Sequence, residues 1–290
     1  MASGGRIHLL FVIQLVAMGA MEMSGPFWPV HLRSLQLSET VFTLSSIGVY
    51  VAPMLGIMLT ARFWGRVGDR FGHRAMMMRA LAGLALTQGV LAFAQDAGSI
   101  LALRFLQGAC AGFIAPAQAY GIGLVPVERR GRLFAFLQIA TNLGSLFGAL
   151  SGGFMLDHAP FAWINLSAAI LCGLCLMAVG VCLPPLTPSR PSLRPDLSMQ
   201  GTPTVQRQVA PAIWTILALI GALLLARLAT QAPFSLYVLD RFAQGNWATG
   251  LCYGLLALGF ILSAGFWARH FDARSMAETL LHLLRIVACC

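Results

Sequence analysis

Lysine is absent from this chain of 290 residues, so all 19 of its basic side chains are arginine. Acid is scarce as well: there are 10 aspartates and glutamates, and charged residues of every kind make up 10% of the sequence. A soluble globular domain carries about 25%, so this composition argues against a water-soluble fold. No apolar run carries a convergent nucleophile, a metal cluster or a carboxylate pair, which disfavours an enzyme and implies neither a metal nor a cofactor. The 7 cysteines fall inside apolar segments or at the very end. Cys172 and Cys175 form a CxxC without a histidine partner, which reads as small packing residues rather than a redox or zinc pair.

What is present is oil. Hydrophobic residues make up 58% of the chain, and the mean hydropathy is +0.78. Apolar runs of about 20 residues recur, long enough to cross a bilayer core of about 30 Å as helices. They are continuously apolar rather than alternating, which selects an all-α polytopic membrane protein over a barrel. The expected spans are 8–30, 42–64, 75–95, 99–124, 134–156, 162–183, 212–238 and 247–268. The first has the charge and small residues of a signal peptide, but its apolar character runs on to Val30, too far for cleavage. The net charge of +9 does not imply nucleic acid, because the arginines sit in short loops between apolar runs.

Those arginines give an orientation. With the N-terminus inside, Arg6, Arg62, Arg66, Arg70, Arg74, Arg79, Arg129, Arg130, Arg132, Arg190, Arg194, Arg207, Arg269 and Arg274 fall on the cytoplasmic side. Arg33 and Arg241 fall outside, so the positive-inside rule puts the N-terminus in the cytoplasm. The stretch "PPLTPSRPSLRPDLSMQGTPT" reads as a flexible linker. It divides the chain into residues 1–183 with six helices, a cytoplasmic linker at 184–211, and an incomplete second half at 212–290. The second half echoes the first: Phe63-Trp64-x-Arg66-x-x-Asp69 recurs as Phe266-Trp267-x-Arg269-x-x-Asp272, and Pro26-Phe27 as Pro233-Phe234. Parallel repeats about a central loop are a transporter architecture.

The loop "GRVGDRFGHR" concentrates charge between two spans. A tight turn there needs the backbone freedom of Gly68 and Gly72, and Asp69 among arginines can pair with them or face a helix N-terminus. Such a loop can latch one state of a rocking bundle, whereas an anchoring loop would need only basic residues. Arg79, further from the turn, is expected to tolerate lysine. Gly144, Gly148 and Gly152 are four residues apart, so they line one helix face and permit close approach. Charge inside a span costs at least about 2.5 kcal/mol and usually marks a pathway or proton relay. Glu22, Arg104 and Arg227 are such charges, at similar depth in the outer half of their spans by a rise of about 1.5 Å per residue. They are the candidate coupling residues, with a structural Glu22–Arg104 ion pair as the alternative. Gln107, Gln118, Gln138, Asn142 and Gln231 either line a cavity or bond helix to helix.

Taken together these segments resemble the major facilitator superfamily. Gly65, Asp69, Arg70, Gly72, His73 and Arg74 match its loop signature between helices two and three. Arg104, Gln107 and Gly108 in "RFLQGACAG" match its fourth-helix signature. "GSLFGALSGG", with Gly144, Gly148, Gly152 and Gly153, is similar to the fifth-helix signature of the drug:proton antiporter branch, with Ala149 where that branch has proline. "PFWP" resembles that branch's first-helix PxxP. The resemblance implies a helical bundle that exports a small molecule, a drug or a siderophore, in exchange for protons across a bacterial inner membrane as a monomer. It also implies that the glycine face packs against the second half, that Ala149 leaves its helix straighter, and that helices one, four and seven surround a central cavity. Family members have twelve helices, whereas "SMAETLLHLLRIVACC" is too short and polar to complete a ninth, so the chain is expected to be truncated after about eight. A sugar or metabolite carrier and a non-transporting remnant are the competing readings.

Overall fold

The computed structural model describes residues 3–185, 221–222, 233–241 and 245–273, with the backbone alone for residues 3, 256 and 264–273. All regular structure among them is helical. Helix α1 (Ser3–Glu22) ends at the one acid of its span. A 3-10 turn (Gly25–Phe27) and α2 (Trp28–Ser34) follow, so the continuous helix expected over 8–30 is broken. The cause is local: Pro26 and Pro29 lack the amide hydrogen that would continue a helix and occupy first-turn positions of new ones.

Helix α3 (Glu39–Leu91) contains both the second and third expected spans, and only Gly72, at φ 81° and ψ 167°, leaves helical geometry. Gly72 therefore supplies the turn, as a residue without Cβ can. Gly68 does not, contrary to expectation: it is helical, and a Cβ there would stand 3.3 Å from Met76. The expected 99–124 span is also split, into α4 (Ala97–Cys110) and α5 (Ile114–Ile122), with Gly112 at φ 103° between them. Asp96 caps α4 by accepting from the Ser99 amide, and the Ser99 hydrogen bonds hold its exposed carboxyl below the usual aspartate range.

Helices α6 (Arg130–His158) and α7 (Phe161–Cys182) lie where the fifth and sixth spans were expected. Residues 233–241 form α8, and α9 (Asn246–Ala273) covers the eighth span. Most of the linker, most of the seventh span and residues 274–290 lie outside the described residues. Six of the described helical segments are long and apolar enough to cross a membrane.

The bundle core has two stacked layers. Near the Gly72 turn, Leu10, Ala17, Met77, Leu81, Tyr120, Leu137 and Val179 pack together. Toward the other end, called the far end below, Trp28, Tyr50, Leu84, Ile100, Phe161 and Ile164 form the second layer. Cys172 and Cys175 are reduced and buried, one in each layer, as packing residues would be.

Candidate functional site

The glycines of α6 set how closely the helices approach. A Cβ on Gly144 would collide with the Leu15 carbonyl, one on Gly148 with the Gly19 carbonyl, and one on Gly152 with the Met23 carbonyl. All three therefore seat α1, correcting the expectation that this face meets the second half. Helix α9 docks on the adjacent stripe. Gly153 lies against the Asn246 carbonyl, while Gly250 and Gly254 of α9 meet Ala149 and Leu146. Helix α6 thus has close neighbours on two faces and runs unbroken through Ala149, as alanine in place of proline allows.

Above this seam the charges of the spans converge. Arg104 donates from Nε to the Val49 carbonyl at 3.0 Å and from Nη1 to Gln107 Oε1 at 2.6 Å. Its guanidinium also sits 5.3 Å from the centre of the Trp28 ring, a cation–π contact that offsets part of the cost of charge in a span. Glu22 folds back over Gly25, where a Cβ would stand 2.9 Å from its Oε2. Tyr50 donates to the Gly25 carbonyl at 3.2 Å. Glu22, Tyr50 and Arg104 lie within electrostatic range of one another, and Tyr253 of α9 lies within range of Tyr50. Of the expected cluster, then, Glu22, Arg104 and Gln107 come together. Asn142 instead donates to the Gln138 carbonyl of its own helix at 2.8 Å. Arg227 and Gln231 lie outside the described residues.

Sequence reasoning missed Tyr50 and Tyr253, although tyrosine is rare here, with 4 in the chain, and a hydroxyl inside an apolar run is a usable signal. It also passed over Gln14, which ties α1 to α6 by donating to the Leu137 carbonyl at 3.0 Å and to Thr141 at 2.8 Å. Gln88 and Asn165 are fully buried too, and among the described residues their polar atoms have no partner.

With this arrangement in place, comparison with known sequences is decisive: the family model described as Major Facilitator Superfamily matches residues 10–290. The chain belongs to the major facilitator superfamily. The superfamily is one of transporters rather than enzymes. The staphyloferrin B transporter of Staphylococcus aureus is 30% identical over 165 residues, which is 57% of this chain and 40% of that protein. The uncharacterized MFS-type transporter YuxJ of Bacillus subtilis is 26% identical over 270 residues, 89% of this chain and 67% of the relative. The multidrug resistance protein MdtG of Proteus mirabilis is 30% identical over 151 residues, 51% of this chain and 38% of that protein. The chain thus spans between about two fifths and two thirds of the length of these relatives. In fold it is similar to a D-xylose–proton symporter, with a TM-score of 0.61 at 16% identity over 93% of this chain and 69% of the symporter.

At the turn end, this superfamily member has a cavity of about 370 Å³ between α3, α4 and α5. Asp69, His73, Trp64 and Arg79 contribute to its wall. Asp69 is exposed and, among the described residues, makes no hydrogen bond or ion pair, so the expected pairing with neighbouring arginines is absent. Arg70 lies over Phe71 at 5.6 Å. Arg74 donates to the Gly180 carbonyl at 2.5 Å, placing a cation on the C-terminal end of α7, where the helix dipole favours it. Gly65 is exposed, and nothing lies within 4 Å of a Cβ built there. The loop signature therefore divides: Gly72 and Arg74 build the turn, and Asp69 faces the cavity.

The contacts of Arg79 argue against its expected tolerance of lysine. Its guanidinium donates to the Cys110 carbonyl at 2.9 Å and the Ala111 carbonyl at 3.1 Å, and its Cζ lies over the Trp64 ring, 3.8 Å from the centre. Trp64 in turn donates to the Ala109 carbonyl at 2.7 Å. Together they satisfy the carbonyls exposed where α4 stops. Lysine has neither the planar fork nor the stacking face for this arrangement. Arg79→Lys should lower the melting midpoint of the purified chain by several degrees. Arg66→Lys, at an exposed loop position, should leave it unchanged, and equal midpoints for the two variants would count against the α4 cap.

Proposed function

We propose that this chain is a secondary active transporter that exports a small molecule, a drug or a siderophore, in exchange for protons. The observation that carries this is the juxtaposition of Glu22, Tyr50 and Arg104, with Tyr253 of α9 beside Tyr50, where α1, α3 and α4 meet. An acid inside an apolar bundle is costly and is kept where proton occupancy does work. It can hold a proton in one state and lose it when a neighbouring arginine or a substrate approaches. The similarity to the staphyloferrin B transporter and to MdtG supports export of this kind.

In this reading residues 1–183 and 212–290 are two halves joined by the 184–211 linker, and they rock about the substrate. The arginine bias puts the Gly72 turn and the N-terminus in the cytoplasm, in the inner membrane of a bacterium. The partners are protons, a small molecule and the bilayer, and the transporter works as a monomer. Asp69 at the turn then serves as a latch that closes one state. Asp69→Asn should impair transport with abundance near the wild-type level, and wild-type rates from that variant would remove the gating role.

The test is transport by the purified chain in liposomes under an imposed pH gradient, across a panel of amphipathic drugs and ferric-siderophore ligands. Export against the compound gradient, lost when the pH gradient is collapsed, is the expected result. Accumulation of a sugar alongside protons would replace the reading with a carrier of opposite direction. Movement of no compound would overturn it.

A further inference from the structure

The far end of the bundle carries a contact between the two halves that neither the loop nor the glycine signatures include. Asp157, in the last turn of α6, accepts from the Asn246 amide at 2.7 Å, from Asn246 Nδ2 at 2.9 Å and from the Trp247 amide at 3.0 Å. Those amides open α9, so their hydrogens have no partner inside their own helix. A residue of the first half thus acts as the N-cap of a helix in the second, and its negative charge suits the positive end of the helix dipole.

The surrounding residues are fitted to that contact. Gly153, one turn back on the same face of α6, leaves room for the Asn246 backbone to rest directly against it. Gly245 does the same for the carboxylate, since a Cβ there would stand 2.7 Å from Asp157 Oδ2. A second tether lies at the same end, where Arg33 of α2 donates to both carboxylate oxygens of Asp240 in α8 at 3.0 and 3.1 Å. That pair is more than half exposed, so solvent screening leaves it a weak tether by itself.

We propose that Asp157 is the gate residue of the far end. By capping α9 across the interface it holds the two halves together there, and release of the cap is the step that opens this end while the turn end closes. The inference rests on reading the chain as an alternating-access transporter, and it adds a residue and a chemical basis for one of the two gates. Capping, rather than proton binding, is the property at stake, and an asparagine there would keep only one of the two acceptor oxygens that Asp157 uses.

The test is hydrogen–deuterium exchange on the whole chain in lipid nanodiscs, comparing wild type with Asp157→Ala and Asp157→Asn. Asp157→Ala should speed exchange over residues 245–250 by about fivefold, the loss of one cap, and raise it over 23–34, with slower exchange over 60–75 as the turn end closes. Asp157→Asn, which keeps one acceptor oxygen where both carboxylate oxygens accept, should fall between wild type and Asp157→Ala. Faster exchange confined to 245–250 would make Asp157 a local cap with no gating role and overturn the proposal. Asparagine behaving like alanine would overturn its capping basis. Exchange reports conformation whether or not a compound is moved, so failure of this gate and failure of the transport reading are separate results.

Discussion

Gly148→Leu should cost the chain the close seat of α1 on α6. A Cβ at this position would run into the Gly19 carbonyl oxygen, with the Gly19 carbonyl carbon and Cα each 2.9 Å away. These are backbone atoms of α1, so no side-chain rotation relieves the collision and the whole helix must move. Moving it would stretch the Gln14 bonds to Leu137 and Thr141 and open the packing beneath Glu22. Overpacking a tight contact costs about 1–3 kcal/mol, and a helix pinned by backbone on both sides belongs at or above the top of that range. The melting midpoint in detergent should fall sharply, and proteoliposomes should leak protons. Gly173→Leu is the control, because nothing lies within 4 Å of its Cβ position. Equal midpoints and equal proton tightness for the two variants would mean that α1 and α6 are not in close contact.

Glu22→Gln has the second large effect, on function rather than on folding. Glutamine keeps the length and hydrogen-bonding reach of glutamate but neither charge nor proton. Arg104 should keep its hydrogen bonds to Val49 and Gln107 and its place by the Trp28 ring in this variant, so substrate binding should survive. Transport driven by a pH gradient should fall to the level of empty vesicles, while Glu22→Asp, which restores a titratable group at shorter reach, should recover part of it. Efflux by Glu22→Gln at the wild-type rate would leave this residue a structural partner of Arg104.

Much of this was legible in the sequence, for reasons that particular residues make plain. Span existence follows from length and apolarity, so α6 and α7 lie close to where their runs predicted. Internal breaks are a finer matter. Pro26 and Pro29 announce the end of α1, but Gly112 is one glycine among 30, and its left-handed backbone depends on Arg79 and Trp64 waiting to take the freed carbonyls. Spacing showed that Gly144, Gly148 and Gly152 share a face. It could not say which helix that face meets, because the α1 and α9 stripes are offset by a residue or two around the same helix. Arg79 was misread because distance from the turn along the chain says nothing about which carbonyls lie across it. Asp157 went unnoticed since its partners are backbone amides far along the chain, and amides leave no mark in composition.

Substrate-induced proton release tests the coupling role of Glu22 most directly. A compound that passes the efflux panel is added to the purified chain in weakly buffered detergent, and pH is followed with an indicator dye. Wild type should release protons as the compound saturates, and Glu22→Gln should bind the same compound and release none. Proton release of wild-type size from Glu22→Gln would contradict the account.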